Sequence, residues 1–197
     1  MLSTREVIQL SVYTVTGYKP HEIGIFNDSH PGLKFIKKAI KKNLIQLIEN
    51  KDLEWVLISG QLGVELWAAE VTLELQEEYP DLKLAVITPF LNQEVNWKEE
   101  KQEYYQLILA QADFVDSLTK RKYEDPSQFR SKNQFFIKKS NGLLILFDED
   151  TGGTPKYILE TARKKQRKDD TFNIQSITPY DIQTLTEEEK MEEPDYW

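Results

Sequence analysis

Several segments of this chain bring glycine, aromatic and charged side chains together at spacings that chemistry can use. Ser59-Gly60-Gln61-Leu62-Gly63-Val64-Glu65 sets two glycines three apart between an apolar run and an amphipathic one. Backbone N–H groups left free at such a helix start form a cradle for an anion or phosphate. The spacing is neither G-x-G-x-x-G nor a Walker loop, and glycines that fit a tight strand-to-helix turn give the same letters. Glu65, favoured in a first helical turn by the helix dipole, is a candidate to bind a ribose hydroxyl or to act as a base. A second segment, Asp148-Glu149-Asp150-Thr151-Gly152-Gly153-Thr154-Pro155, repeats the phosphate-loop geometry, with Thr154 alternatively a helix N-cap. Its three carboxylates suit a divalent cation or simple solvation. Thr16-Gly17-Tyr18-Lys19-Pro20-His21-Glu22 offers an aromatic ring and a cation to enclose a base and neutralise a phosphate. Pro89-Phe90, with Asn92, Asn96 and Trp97, suits a nucleobase or a hydrophobic plug under a loop. Arg130, Lys132, Asn133 and Gln134 form a polar cluster whose default reading is a solvated helix face. There is no cysteine, and His21 and His30 are the only imidazoles, so thiolate chemistry, disulfides and a His-rich zinc site are excluded and no metal site is expected.

The elements that must position these groups alternate along the chain. Short apolar, β-branched runs at 12–16, 55–59, 84–88, 112–117, 142–147 and 172–177 read as strands. Helical periodicity marks 33–48, 64–78, 98–111, 131–139 and 155–167. Strands separated by such helices predict βαβ units: an α/β, doubly wound, mostly parallel sheet with helices on both faces. Ligands of such sheets bind beyond the C-terminal strand ends, near the switch in strand order. The glycine segments fall at those ends. No internal repeat or long linker interrupts the pattern, so residues 1–180 are expected to form a single domain and 181–197 an acidic C-terminal tail.

Composition narrows the function classes. The chain has 197 residues, 40% of them hydrophobic, and a formal net charge of -8. Residues 187–195 contribute -5 of that charge, which predicts a mobile, solubilising end and a body near -3. This balance makes nucleic acid an unlikely partner, since duplex binders concentrate basic surface. No apolar run approaches the roughly 20 residues that span a bilayer, and the start, MLSTREVIQL, lacks the pattern of a secretory signal. The expected setting is cytoplasmic, without membrane insertion.

The blocks TGYKPHEIGIF, ISGQLGVELWAAEV, ITPFLNQEVNW, QFRSKNQF and GGTPKYILETA, in this order, resemble the YpsA-like family of low-GC Gram-positive bacteria over residues 12–177. That family is grouped in the SLOG superfamily with the DNA-processing protein DprA and the LOG phosphoribohydrolases. The resemblance implies a Rossmann-like domain whose glycine loops bind a nucleotide or ADP-ribose-like ligand, with Gly60, Gly63 and Glu65 on one loop and Gly152, Gly153 and Thr154 on the other. It also implies a regulatory role in cell division, with a protein partner in the division machinery. A homo-oligomer is a separate expectation. LOG-type hydrolases carry Pro-Gly-Gly-x-Gly-Thr-x-x-Glu. Here Thr151 precedes the glycine pair, Pro155 replaces the third glycine, Lys156 replaces the threonine, and Glu160 falls one position late. The catalytic pattern is therefore not preserved as written. The alternative expectation is a nucleotide-processing enzyme cleaving an N-glycosidic bond, with Glu65 or Glu160 as acid/base and Arg130 or Lys19 stabilising charge.

Overall fold

The computed structural model describes residues 10–27 and 29–192. Six strands form one parallel sheet in the order β4-β3-β2-β1-β5-β6. They are β1 (Val12–Gly17), β2 (Trp55–Ile58), β3 (Lys83–Thr88), β4 (Phe114–Ser117), β5 (Gly142–Leu146) and β6 (Asn173–Ile177). The order reverses at β1, whose Thr14 pairs with Leu57 of β2 on one side and Leu143 of β5 on the other. All five residues of β5 are buried, as a strand covered on both faces requires. This is the Rossmann-like, doubly wound arrangement that the alternation of strands and helices predicts.

The helices are α1 (Pro31–Lys51), α2 (Val64–Leu75), α3 (Glu99–Gln111), α4 (Ser127–Lys139), α5 (Lys156–Gln166) and α6 (Pro179–Glu192). Right-handed crossovers place α1 to α3 on one face and α4 and α5 on the other, and α1 packs on α2 while α4 packs on α5. No helix among the described residues is long and apolar enough to cross a membrane.

Two differences from the sequence expectation bear on function. Helix α4 begins at Ser127, a turn earlier than residue 131. The Gln128 side chain accepts from the backbone of Glu124 and donates to Thr119 and to the Lys122 carbonyl, locking the preceding loop and starting the helix there. The acidic stretch expected as a mobile tail is, through Glu192, helix α6; residues 193–197 lie outside the described residues. Thr178 and Asp181 bond reciprocally at its start, as in a capping box. Leu185 buries its side chain in the core, and Glu189 pairs with Lys34 of α1. A short 3-10 turn at Pro20–Ile23 follows β1.

Candidate functional site

The loop between β2 and α2 is closed on an anion of its own. Glu65, 4% exposed, accepts from the Ser59 N–H at 2.8 Å, the Ser59 hydroxyl at 2.7 Å, the Gln61 N–H at 3.2 Å and the Thr16 hydroxyl at 2.7 Å. Its two oxygens thus tie the ends of β1 and β2 to the first turn of α2. Charge-assisted bonds of this kind are among the strong ones, and they occupy two of the amides that a phosphate would otherwise find. Val64 N–H, at the first residue of α2, donates to the Tyr18 carbonyl at 3.1 Å. Gly63 permits this closeness: its φ is +99°, and a Cβ there would overlap the Tyr18 carbonyl oxygen. Gly17 is likewise crowded by the Val64 methyls.

The loop after β5 is closed in the same manner. Tyr18, buried just past the end of β1, packs its ring on Phe147 just past β5. Its hydroxyl accepts from Asp148 N–H at 3.0 Å and donates toward the Gly152 carbonyl at 2.9 Å. Its ring sits against the position of Gly153, where a Cβ would lie 2.8 Å from Cε1. Glu22, from the 3-10 turn, accepts from Thr154 N–H at 2.8 Å, the Thr154 hydroxyl at 2.9 Å and Lys19 N–H at 2.8 Å. Asp148 accepts from Thr151 and Asp150, while Glu149 pairs with Arg163. Among the described residues no group of three or more His, Asp or Glu side chains is placed to hold a metal.

Burial works to raise the Glu22 pKa, but the bonds from Thr154 and Lys19 outweigh it and hold the carboxyl below its ordinary range. A depressed folded-state value stabilises the protein at and above the unfolded carboxylate pKa, about 4.3. That contribution fades as pH falls through the lower folded value. Urea unfolding at pH 7 and pH 3 should therefore show a smaller acid-induced loss of stability in Glu22→Gln than in the wild type. Equal losses would show that this contact adds nothing.

The unclosed part of the crevice lies toward β2 and β3, beneath α4. The Ser140 hydroxyl, just past the end of α4, is 2.8 Å from that of Thr14 in mid-β1, so the N-terminal half of the helix reaches over the strand's C-terminal end. There Phe129, Lys132 and Asn133 share one helical stripe, at spacings of three and four. Lys132 is 7% exposed and makes no hydrogen bond or ion pair among the described residues; its ammonium is 5.4 Å from the Phe136 ring centroid. Burial pulls its pKa below the ordinary lysine range, the Glu65 charge opposes that shift and Lys19 adds to it. The Asn133 side-chain oxygen is also buried without a donor.

A cavity of about 470 Å³ adjoins this stripe, lined by Phe90, Asn92, Asn96, Lys122, Tyr123 and Phe129 among others. Gln93, on the same loop, donates to the Ser59 carbonyl at 2.8 Å and so fixes the cavity wall on the β2–α2 loop. The structure therefore brings together Thr16, Lys19, Ser59, Gly60, Gln61, Gly63, Glu65, Phe90 and Asn133. It separates others from them. Trp97 packs edge-on against Tyr105 at 5.3 Å, serving as the plug. Pro89 contributes its carbonyl to Thr119. Arg130 and Glu160 are exposed on α4 and α5, and Gly152, Gly153 and Thr154 face the segment closed by Tyr18 and Glu22. Lys132 is the residue that the default reading of a solvated face passed over. Its signal was its place in line with Gln128 and Phe136, all three buried.

A family model described as the YspA SLOG family matches residues 13–182. The chain belongs to that family. Members of comparable length include a UPF0398 protein of Bacillus cereus, 59% identical over 181 residues that cover 92% of this chain and 97% of the relative. A UPF0398 protein of Bacillus thuringiensis is 58% identical over the same shares. Among solved structures, DNA processing protein A from Helicobacter pylori aligns at a TM-score of 0.49 and 14% identity, covering 91% of this chain and 81% of its own. That structure is described for a single-stranded DNA binding mode of that protein. The expectation that nucleic acid is an unlikely partner of this chain is withdrawn. The physical reason is that a net charge of -8 describes the whole surface of this SLOG-family chain and says nothing about one crevice.

Proposed function

We propose that the protein binds a nucleotide or nucleotide derivative, with a phosphate held at the Lys132 end of the crevice, and that occupancy regulates the surface offered to a protein partner. One observation carries the reading: a lysine only 7% exposed, near the sheet's switch point, whose ammonium has no ion-pair or hydrogen-bond partner among the described residues. Burying an unpaired charge is costly, and an incoming anion removes that cost. Lys19 supplies a second positive charge near it. The carboxylates favour binding over turnover. Glu65 is already committed to four donors, and Glu160 points to solvent. Regulation requires that the ligand bind two conformations with different affinity.

A thermal-shift panel of AMP, ATP, NAD, ADP-ribose and cyclic dinucleotides tests the reading. A ligand at about 100 times its dissociation constant adds about 2.7 kcal/mol, a shift of several degrees for a domain of this size. The expected result is such a shift with at least one compound in the wild type and none in Lys132→Gln. A flat panel from well-folded wild-type protein would overturn the proposal.

A further inference from the structure

We infer that the cavity between the β3–α3 and β4–α4 loops seats a nucleobase, which makes the ligand one whose base and phosphate lie about one helical turn apart along α4. The inference rests on the phosphate reading above and extends it to the other end of the ligand. Three rings make the seat: Phe90 and Tyr123 at 5.1 Å, Phe90 and Phe129 at 5.5 Å, Tyr123 and Phe129 at 5.9 Å between centroids. Phe90 is 9% exposed and forms the floor, whereas Tyr123 at 51% and Phe129 at 39% leave ring surface open. Asn92 and Asn96 line the same space, so donors and acceptors are at hand for the edge of a flat heterocycle.

The charges around the rings decide between a base and an apolar side chain of a partner. Lys122 lines the cavity without an ion-pair partner among the described residues. Lys132 follows Phe129 by three residues, hence about one turn along α4. Aromatic faces interleaved with unpaired cations suit a stacked base joined to a phosphate, and an apolar side chain would leave the cations unanswered. Gln93 links the two ends, since it holds the cavity loop to the carbonyl of Ser59, whose N–H and hydroxyl bind Glu65. A free nucleotide and a base of a single strand offer the same chemistry.

Calorimetric titration with ribose 5-phosphate, adenosine, AMP and a short oligo-dA separates the possibilities. AMP is expected to bind at least tenfold tighter than ribose 5-phosphate. The double substitution Tyr123→Leu with Phe129→Leu, at two partly exposed positions, should erase that advantage while leaving ribose 5-phosphate binding unchanged. AMP binding no tighter than ribose 5-phosphate would overturn the base seat and leave the phosphate site standing. Adenosine binding that depends on the two rings, with no binding of ribose 5-phosphate, would keep the seat and sink the phosphate reading. Binding of none of the four would overturn both. AMP binding alone identifies a free nucleotide as the source, and preference for oligo-dA identifies a strand.

Discussion

Replacing Lys132 by methionine is expected to make the ligand-free protein more stable while abolishing its response to nucleotide. Methionine matches the aliphatic stem of a residue that is 7% exposed and removes an ammonium that lacks an ion-pair or hydrogen-bond partner among the described residues. The desolvation of an unpaired buried polar group costs about 1–3 kcal/mol in protein mutational data. Recovering it should raise the melting temperature by roughly 2–12 °C, at about 2–4 °C per kcal/mol for a chain of this length. Differential scanning calorimetry of both proteins, with and without the best ligand of the panel, reads the two effects together. A less stable variant would mean that Glu65 holds the ammonium as a structural partner, and the argument from an unanswered charge would fail.

The second large effect is expected at Gly63. A Cβ there would overlap the Tyr18 carbonyl oxygen and lie 2.9 Å from Pro20 Cδ. Backbone cannot rotate aside as a flexible side chain would. The φ of +99° adds strain for any L side chain. Strain of about 1–3 kcal/mol with a similar cost of overpacking predicts a loss of about 2–6 kcal/mol in Gly63→Ala, measured by urea unfolding. Gly152→Ala is the control: its φ is +73° but the space around it is open, so only the backbone cost of about 1–2 kcal/mol applies. Equal losses at the two positions would show that the approach of α2 to β1 is not tightly packed.

Much of the fold was legible in the sequence because each strand is a short β-branched run flanked by helical periodicity. The run GLLILF, for example, has no polar residue and becomes the fully buried β5. Helix α6 was hidden by composition. Its acids suggested a solvated tail, yet Thr178 and Asp181 already spelled a capping box, and the partly buried Ile182 with the buried Leu185 an apolar stripe one turn later. The glycine loops were legible as positions but not as states. Nothing in the order of residues reveals that Glu65 folds back onto Ser59 and Gln61, or that Glu22 crosses from β1 to Thr154, 132 residues away in sequence. Trp97 shows the limit of composition from the other side. An aromatic near amides suits a base, but its ring packs on Tyr105, and Phe90, Tyr123 and Phe129 form the open cluster instead.

The most direct test is to titrate Lys132 itself, by NMR of its ε-carbon in protein carrying labelled lysine, with Lys132→Met giving the assignment. Burial should place its pKa below the ordinary lysine value in the free protein, and saturating nucleotide should move it upward as a phosphate stabilises the charged form. A Lys132 that titrates at the ordinary lysine value, or one whose pKa is unmoved by a ligand that demonstrably binds, would contradict the assignment of the phosphate to this end of the crevice.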